Sequence, residues 1–213
     1  VLFGYSSYMN LIGANEVTVN IMTKPLGRIK SKYILIPIIF LLGNLLSLVV
    51  PSASSLAVLL MATLFPILTR IDVSPLAAGA VIATTATIMP TPLGADNVIA
   101  ANTFGMNIMD YVIAHAKISI PALLLMAVAH YFWQKYLDKK DGTNAEIDKS
   151  KIAELNTNLP PAYYAILPIL PLILVLVFNL ALKGLNLNIG LVTITFISLI
   201  ASIIVELIRK HEF

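Results

Sequence analysis

Three hydroxyls, Ser52, Ser54 and Ser55, stand in a short polar stretch, Pro51-Ser52-Ala53-Ser54-Ser55, between two apolar runs. A second break, Met89-Pro90-Thr91-Pro92-Leu93-Gly94-Ala95-Asp96-Asn97, interrupts the apolar region that follows. Serine at such a position caps a helix, and the leading N–H groups of that helix have no partner within it. An anion is the natural ligand for such an end, favoured by ~0.3 to 1 kcal/mol when exposed and up to ~2 kcal/mol when partly buried. Hydroxyls and backbone can therefore hold a carboxylate without Arg or Lys. In the second break Pro92 helps to end the preceding helix, Thr91 adds a hydroxyl, Gly94 permits close backbone approach, and Asn97 can donate or accept. Two opposed helix ends suit a molecule with two carboxylates. Asp96 is the sharpest residue, because a carboxylate within an apolar segment is costly and marks function by default. It could bind a proton or Na⁺ and couple a cation to the anion. The plainer alternatives are a serine-capped loop at 52–55 and, for Asp96, an acid that stabilises the first turn of its own half-helix.

The elements around these breaks belong to a membrane. With 58% hydrophobic and 12% charged residues in 213, and a mean hydropathy of +0.89, the chain is too apolar for an ordinary soluble domain. The net charge of +3 does not point to nucleic acid, since the basic residues sit beside apolar segments and not on one groove-sized face. There is no cysteine, which removes disulfides and Cys-ligated metals. The chain begins with Val, and the start of the natural polypeptide is expected to be missing.

Residues 1–22 read as the tail of a spanning helix, with small residues at Gly4, Ser6, Ser7 and Gly13 that allow close packing. A basic cytoplasmic loop follows, broken at Pro25 and Gly27. The runs 33–50 and 56–68 flank the serines, and the second is shorter than the ~20 residues a crossing needs, so 33–69 is expected to be a re-entrant hairpin. Ser74 caps the next helix with Pro75 in its first turn. Residues 76–104 then form one discontinuous crossing, broken at Pro90–Gly94, with a second half-helix over 95–104. Residues 111–133 return inward to an aromatic anchor, Tyr131-Phe132-Trp133. A polar cytoplasmic linker is expected over 134–158, an outward span over 162–182, an external turn over 183–188 and a return span over 189–208. This layout places all of the 14 Lys and Arg residues inside except Lys117 and Lys183. Asn44 is expected to hydrogen-bond between helices, His115, His130 and Lys117 to be interfacial, and Glu206 to pair with Arg209.

Irregular backbone survives at membrane depth only where protein buries it or where it lines a wet cavity. In carriers built from broken helices, the freed N-termini face an anionic substrate near the midplane. The residues thus predict an all-α integral membrane protein, part of a secondary transporter for a small organic anion. Such carriers use paired inverted repeats, and no second serine break occurs, so the chain is expected to hold about half a carrier. An intramembrane enzyme is disfavoured. No His lies near Ser52–Ser55 in sequence, Leu93-Gly94-Ala95-Asp96 lacks the second glycine of a Gly-x-Gly-Asp motif, and there is no His-Glu-x-x-His. A non-transporting membrane subunit is a further alternative.

Several stretches resemble the DcuC-type anaerobic C4-dicarboxylate carriers of bacteria. They are Met9-Asn10-Leu11-Ile12-Gly13-Ala14-Asn15, Ser52-Ala53-Ser54-Ser55 with Val58-Leu59-Leu60-Met61-Ala62-Thr63-Leu64-Phe65-Pro66, Ala129-His130-Tyr131-Phe132-Trp133-Gln134-Lys135-Tyr136-Leu137-Asp138-Lys139-Lys140, and Pro161-Ala162-Tyr163-Tyr164-Ala165-Ile166-Leu167-Pro168. The resemblance implies the ion transporter superfamily: two inverted repeats, each with a re-entrant hairpin and a broken helix, often in homodimers that work by an elevator motion. The implied cargo is succinate, fumarate or malate, with succinate export or exchange coupled to H⁺ or Na⁺ in the bacterial inner membrane. The same resemblance puts the hairpin tip at Ser52–Ser55, the broken helix at Thr91–Asn97 and the family Asp at Asp96. Pro92-Leu93-Gly94-Ala95 makes a longer turn than the family's, and serine and alanine replace the superfamily's hairpin-tip Asn. On this reading 1–133 is the end of the first repeat, 134–158 the linker and 159–213 the first two spans of the second. The binding set is Ser52, Ser54, Ser55, Thr91, Pro92, Gly94 and Asn97, with Asp96 for the coupling cation and no resident cofactor or metal. Expected partners are a dicarboxylate, the bilayer, the missing half and a second subunit, and not nucleic acid. A tricarboxylate or arsenite carrier of the same superfamily is the nearest competing reading.

Overall fold

A computed structural model describes residues 2–29, 31–50, 52–85, 90–141, 159–178 and 190–211. Among them there is no strand. The helices are α1 (Leu2–Leu11), α2 (Ala14–Thr23), α3 (Lys32–Ser47), α4 (Ala53–Thr63), α5 (Phe65–Arg70), α6 (Pro75–Ala83), α7 (Ala95–Thr103), α8 (Ile108–Asp141), α9 (Leu170–Leu176) and α10 (Leu191–His211). Two compact units share them: residues 19–89 with 115–158, and residues 1–18 with 90–114 and 159–213.

The first unit is built on apolar faces of α3, α4 and α6. Leu35, Ile36, Ile39 and Phe40 of α3 pack with Leu56 and Leu60 of α4, Ala78 and Val81 of α6, and Leu123 and Ala127 of α8. Leu64 separates α4 from α5, where Pro66 lies in the first turn and cannot donate to the preceding helix. The expected single run over 56–68 is therefore two helices. Asp72 turns the chain with φ 62, a left-handed conformation that aspartate tolerates better than most residues. Ser74 then caps α6 as expected, its Oγ accepting from Ala77 N at 3.2 Å, with Pro75 following. The run expected over 76–89 is helical to Ala83, and 86–89 lie outside the described residues. Gly43 lets α3 meet the end of α6, since a Cβ there would overlap Thr85 Cγ2 and sit 2.8 Å from Thr85 Cβ.

In the second unit, Tyr5 and Met9 of α1 form a cluster with Tyr164 and Leu167, and Val175 of α9 packs with Met109 and Ile194. Residues 1–22 are not one helix. The chain breaks at Gly13, with φ +73, where an added Cβ would lie 3.0 Å from Pro160 Cγ. Nor is 162–178, the described part of the expected span, one continuous α-helix. A 3-10 turn, Ala162–Ile166, precedes the short α9, because Pro168 and Pro171 each remove a donor and crowd the carbonyl one turn earlier. Residues 179–189, which include the expected external turn, lie outside the described set.

The helix expected over 111–133 begins earlier and runs through Pro121 to Asp141. The first part of the expected linker 134–158 is thus helical, and 142–158 lie outside the described residues. Gln134 and Asp138 are buried on this extension, which explains why a polar sequence continues the helix. The compact units are not consecutive in sequence, because 159–213 packs with 1–18 and 90–114.

Two helical stretches, Ile108–Lys140 and Leu191–Arg209, are long and apolar enough to cross a membrane. α10 is inverted relative to a water-soluble helix. Thr195, Ser198, Ser202 and Glu206 are buried, while Phe196, Ile200, Ile203 and Leu207 are exposed. That arrangement is unfavourable in water, by about 25 cal/mol per Å² of apolar surface, and matches a hydrocarbon surround.

Gly43→Ala should lower the thermal midpoint in detergent, corresponding to about 1–3 kcal/mol of overpacking. Gly79→Ala, where an added Cβ meets nothing within 4 Å, should leave the midpoint unchanged or raise it. Equal effects of the two substitutions would reject close α3–α6 packing at Gly43.

Candidate functional site

The serine break is a helix start. Ser52 is the N-cap of α4, and its Oγ accepts from Ser55 N at 3.4 Å. Ser55 Oγ lies 3.0 Å and Ser54 Oγ 3.4 Å from the same oxygen. The first intrahelical bond runs from Leu56 N to Ser52 O, so the Ala53 and Ser54 N–H groups precede it. Ser54 is exposed and Ser52 and Ser55 half-buried, which leaves this hydroxyl-rich helix end accessible. Pro51 lies outside the described residues.

The second break is held more tightly. Thr91, Pro92, Leu93 and Gly94 are buried, and Thr91 Oγ1 accepts from Leu93 N at 3.2 Å. The Thr91 carbonyl accepts from Gly94 N at 3.3 Å and from the buried Asn97 side-chain amide at 2.9 Å. Gly94 is the N-cap of α7 with no side chain to close it. A Cβ at Gly94 would lie 2.7 Å from Asp96 Oδ1 and 3.1 Å from Asn97 Nδ2, so a larger residue there would displace the Asp96 carboxylate and crowd the Asn97 amide. Asp96 is exposed in the first turn of α7, where its charge faces the positive end of the helix. Thr91, Pro92, Gly94, Asp96 and Asn97 thus form one local cluster, and Ser52, Ser54 and Ser55 form another in the other compact unit. Each cluster offers donors to an anion. At the second, the residue aimed back at the turn is Asn97, whose amide nitrogen fixes the Thr91 carbonyl.

The entire chain, residues 1–213, matches the model of the C4-dicarboxylate anaerobic carriers, DcuC. It belongs to this family. It is similar to the probable anaerobic C4-dicarboxylate transporter DcuC of Vibrio cholerae, 45% identical over 99% of this chain and 45% of the relative. It is also similar to the anaerobic C4-dicarboxylate transporters DcuC of Escherichia coli K12 and Shigella flexneri, each 42% identical over 100% of this chain and 45% of the relative. The chain therefore spans about half the length of the curated relatives it matches. No solved structure matches it. The all-α architecture is that of an integral membrane helical protein, and the family is one of transporters and not of enzymes.

Other polar residues of this DcuC-family chain hold partners that sequence reading did not assign. Asn44 does not bridge helices through its amide nitrogen, which donates to Phe40 O of its own helix at 2.8 Å; its Oδ1 is buried without a hydrogen-bond partner among the described residues. Asp138, expected in a solvated linker, is buried and accepts from Ser74 Oγ at 2.7 Å, with Tyr33 OH at 3.5 Å. The spacing of Gln134 and Asp138, one helical turn apart, was the available signal. His130, expected at the interface, is half-buried with Nε2 3.0 Å from Thr84 Oγ1. Phe132 and Trp133 are exposed as an anchor would be, and Tyr131 meets Tyr33 edge-on. Glu206 pairs with Arg209 at 2.7 Å as expected, and its other oxygen accepts from Tyr164 OH.

Asn97→Ala removes the amide that holds the Thr91 carbonyl and should cost about 1–3 kcal/mol. Ser52→Ala, which removes a half-buried cap, should cost about 1 kcal/mol. Thermal unfolding of the two variants checks the order, and a smaller loss at Asn97 would contradict a tightly held second break.

Proposed function

We propose that this chain is part of a secondary carrier of C4-dicarboxylates, with succinate, fumarate or malate as cargo and succinate export or exchange as its physiological direction. The observation that carries the reading is the buried, glycine-capped start of α7 at the second break, in a chain whose relatives are named C4-dicarboxylate transporters. The cargo-binding residues are Ser52, Ser54 and Ser55 at one break and Thr91, Pro92, Gly94 and Asn97 at the other, each break acting through its own hydroxyls, side-chain amide or helix-end N–H groups. A second half of the polypeptide supplies the inverted repeat and the remaining contacts to the cargo. In this proposal the segment 33–69 is a re-entrant hairpin, 76–104 a discontinuous crossing, 134–158 a cytoplasmic connector and 159–213 the start of the second repeat. The complete carrier crosses the bacterial inner membrane several times and works as a homodimer by an elevator motion. Asp96 is the cation-coupling residue, for Na⁺ or a proton.

Burial of the second break strengthens its weak donors, because the helix-end contribution grows when the site is partly buried. Uptake of labelled succinate by vesicles bearing the complete carrier should be inhibited by fumarate and malate and not by citrate or arsenite. Absence of inhibition by fumarate would reject the cargo assignment. Asp96→Asn should remove the cation dependence of exchange while leaving the carrier in the membrane; an unchanged dependence would reject the role of Asp96.

A further inference from the structure

His130 lies where the neighbouring elements carry little charge. No Asp, Glu, Lys, Arg or His occurs at 33–69 or 73–95, which include α4, α6 and all of α3 except its first residue, Lys32. The charged and titratable groups nearest along its own helix are Tyr131, Lys135 and Asp138, the last bound by Ser74 and Tyr33. Lys117 and His115 lie several turns away on α8, α5 ends in Arg70, and Tyr33 stands at the start of α3.

The imidazole is fixed from two sides. Its ring centroid is 4.8 Å from that of Phe40 in α3, and its Nε2 is 3.0 Å from Oγ1 of Thr84, the C-cap of α6. Thr84 Oγ1 also lies 3.0 Å from the carbonyls of Ala80 and Val81. A hydroxyl has one proton to donate and two lone pairs to accept with. These contacts are satisfied together if that proton goes to the α6 carbonyls and Nε2–H donates to Thr84 Oγ1. Nδ1 is then the atom that gains and loses a proton, and the bond to Thr84 persists in both charge states. At ~1.5 Å per residue, Thr84 is roughly 15 Å along α6 from the Ser74 cap, half the depth of a ~30 Å hydrocarbon core. The C-terminal end of a helix concentrates partial negative charge from its unpaired carbonyls and favours a cation there. In broken-helix carriers, such ends hold the coupling cation while N-terminal ends hold the anionic cargo.

We propose that His130 is a proton-binding site of the carrier: Nδ1 takes up a proton from water, the imidazolium rests against the C-terminal end of α6, and the same proton is released to water in the return state. This deepens the transport reading and rests on it. The site is separate from Asp96, which lies exposed in the first turn of α7 in the other compact unit. Protonation adds positive charge in the unit that carries the serine break, so the charged state binds a dianion more tightly.

The test uses the complete carrier in proteoliposomes with fumarate, whose carboxyls both stay ionised over the range used. As the pH rises from about 5.5 to about 7.5 the protonated fraction of the ring falls, and the KM for fumarate should rise by at least about threefold. In His130→Gln, whose amide nitrogen can replace Nε2 as donor to Thr84, the change should shrink to under about twofold with Na⁺ dependence intact. A wild-type pH profile in His130→Gln, or one flattened by Asp96→Asn alone, overturns the proposal. Nitrogen NMR of histidine-labelled carrier, with the signal assigned by its loss in His130→Gln, gives a second readout. The ring should titrate between about pH 5 and about pH 8, and a ring fixed in one state over that range overturns the proposal. If the wild-type carrier does not move fumarate, the dicarboxylate reading fails and the NMR titration alone decides the proton site.

Discussion

Hydrocarbon gives a polar group nothing to bond to, and most of what is regular and irregular in this chain follows from that one deprivation. The hydroxyls show it most directly. Thr18, Thr63, Thr69, Thr195, Ser198 and Ser202 each donate to the carbonyl four residues earlier in the same helix. A hydroxyl that would be solvated in water is here returned to its own backbone. The same requirement makes the two breaks informative. At 90–94 the interrupted ladder is rebuilt from Thr91, Gly94 and Asn97, and at 52–55 from Ser52.

Ionisable groups obey the constraint at longer range. Glu206 is held by Arg209 and Tyr164, with the guanidinium 5.0 Å above the Tyr164 ring. Asp138 is held by Ser74, which simultaneously caps α6, so one hydroxyl serves a helix end and a buried carboxylate. These clusters therefore join segments far apart in sequence, Tyr164 to α10 and the start of α6 to the end of α8.

Features governed by neighbouring residues were legible in the sequence. The caps at Ser52 and Ser74, the start of α7 after Gly94, and the Glu206–Arg209 pair each depend on residues within one turn. Features governed by partners elsewhere were not. Nothing local announces that Gly13 must turn against Pro160, or that Asp138 continues a helix because Ser74 awaits it. His130 reads as an interfacial residue until α6 is seen to end beside it. Pro168 and Pro171 argue against one continuous helix from 162 on, and a 3-10 turn followed by the short α9 stands there. Within the binding set, residue types and helix-end chemistry were readable, whereas the closing of Asn97 on the Thr91 carbonyl required coordinates.

The self-directed hydroxyls also bear on how the protein is made. A segment such as α10 needs no neighbour to satisfy Thr195, Ser198 or Ser202, so that part of it can leave the ribosome and settle in the bilayer alone. Glu206 keeps Arg209 on its own helix but takes Tyr164 from another segment, and Asp138 depends on Ser74 and Tyr33, both far from it in sequence. Local helix formation thus provides for the hydroxyls, whereas the two acids gain their full set of partners only when separate segments meet.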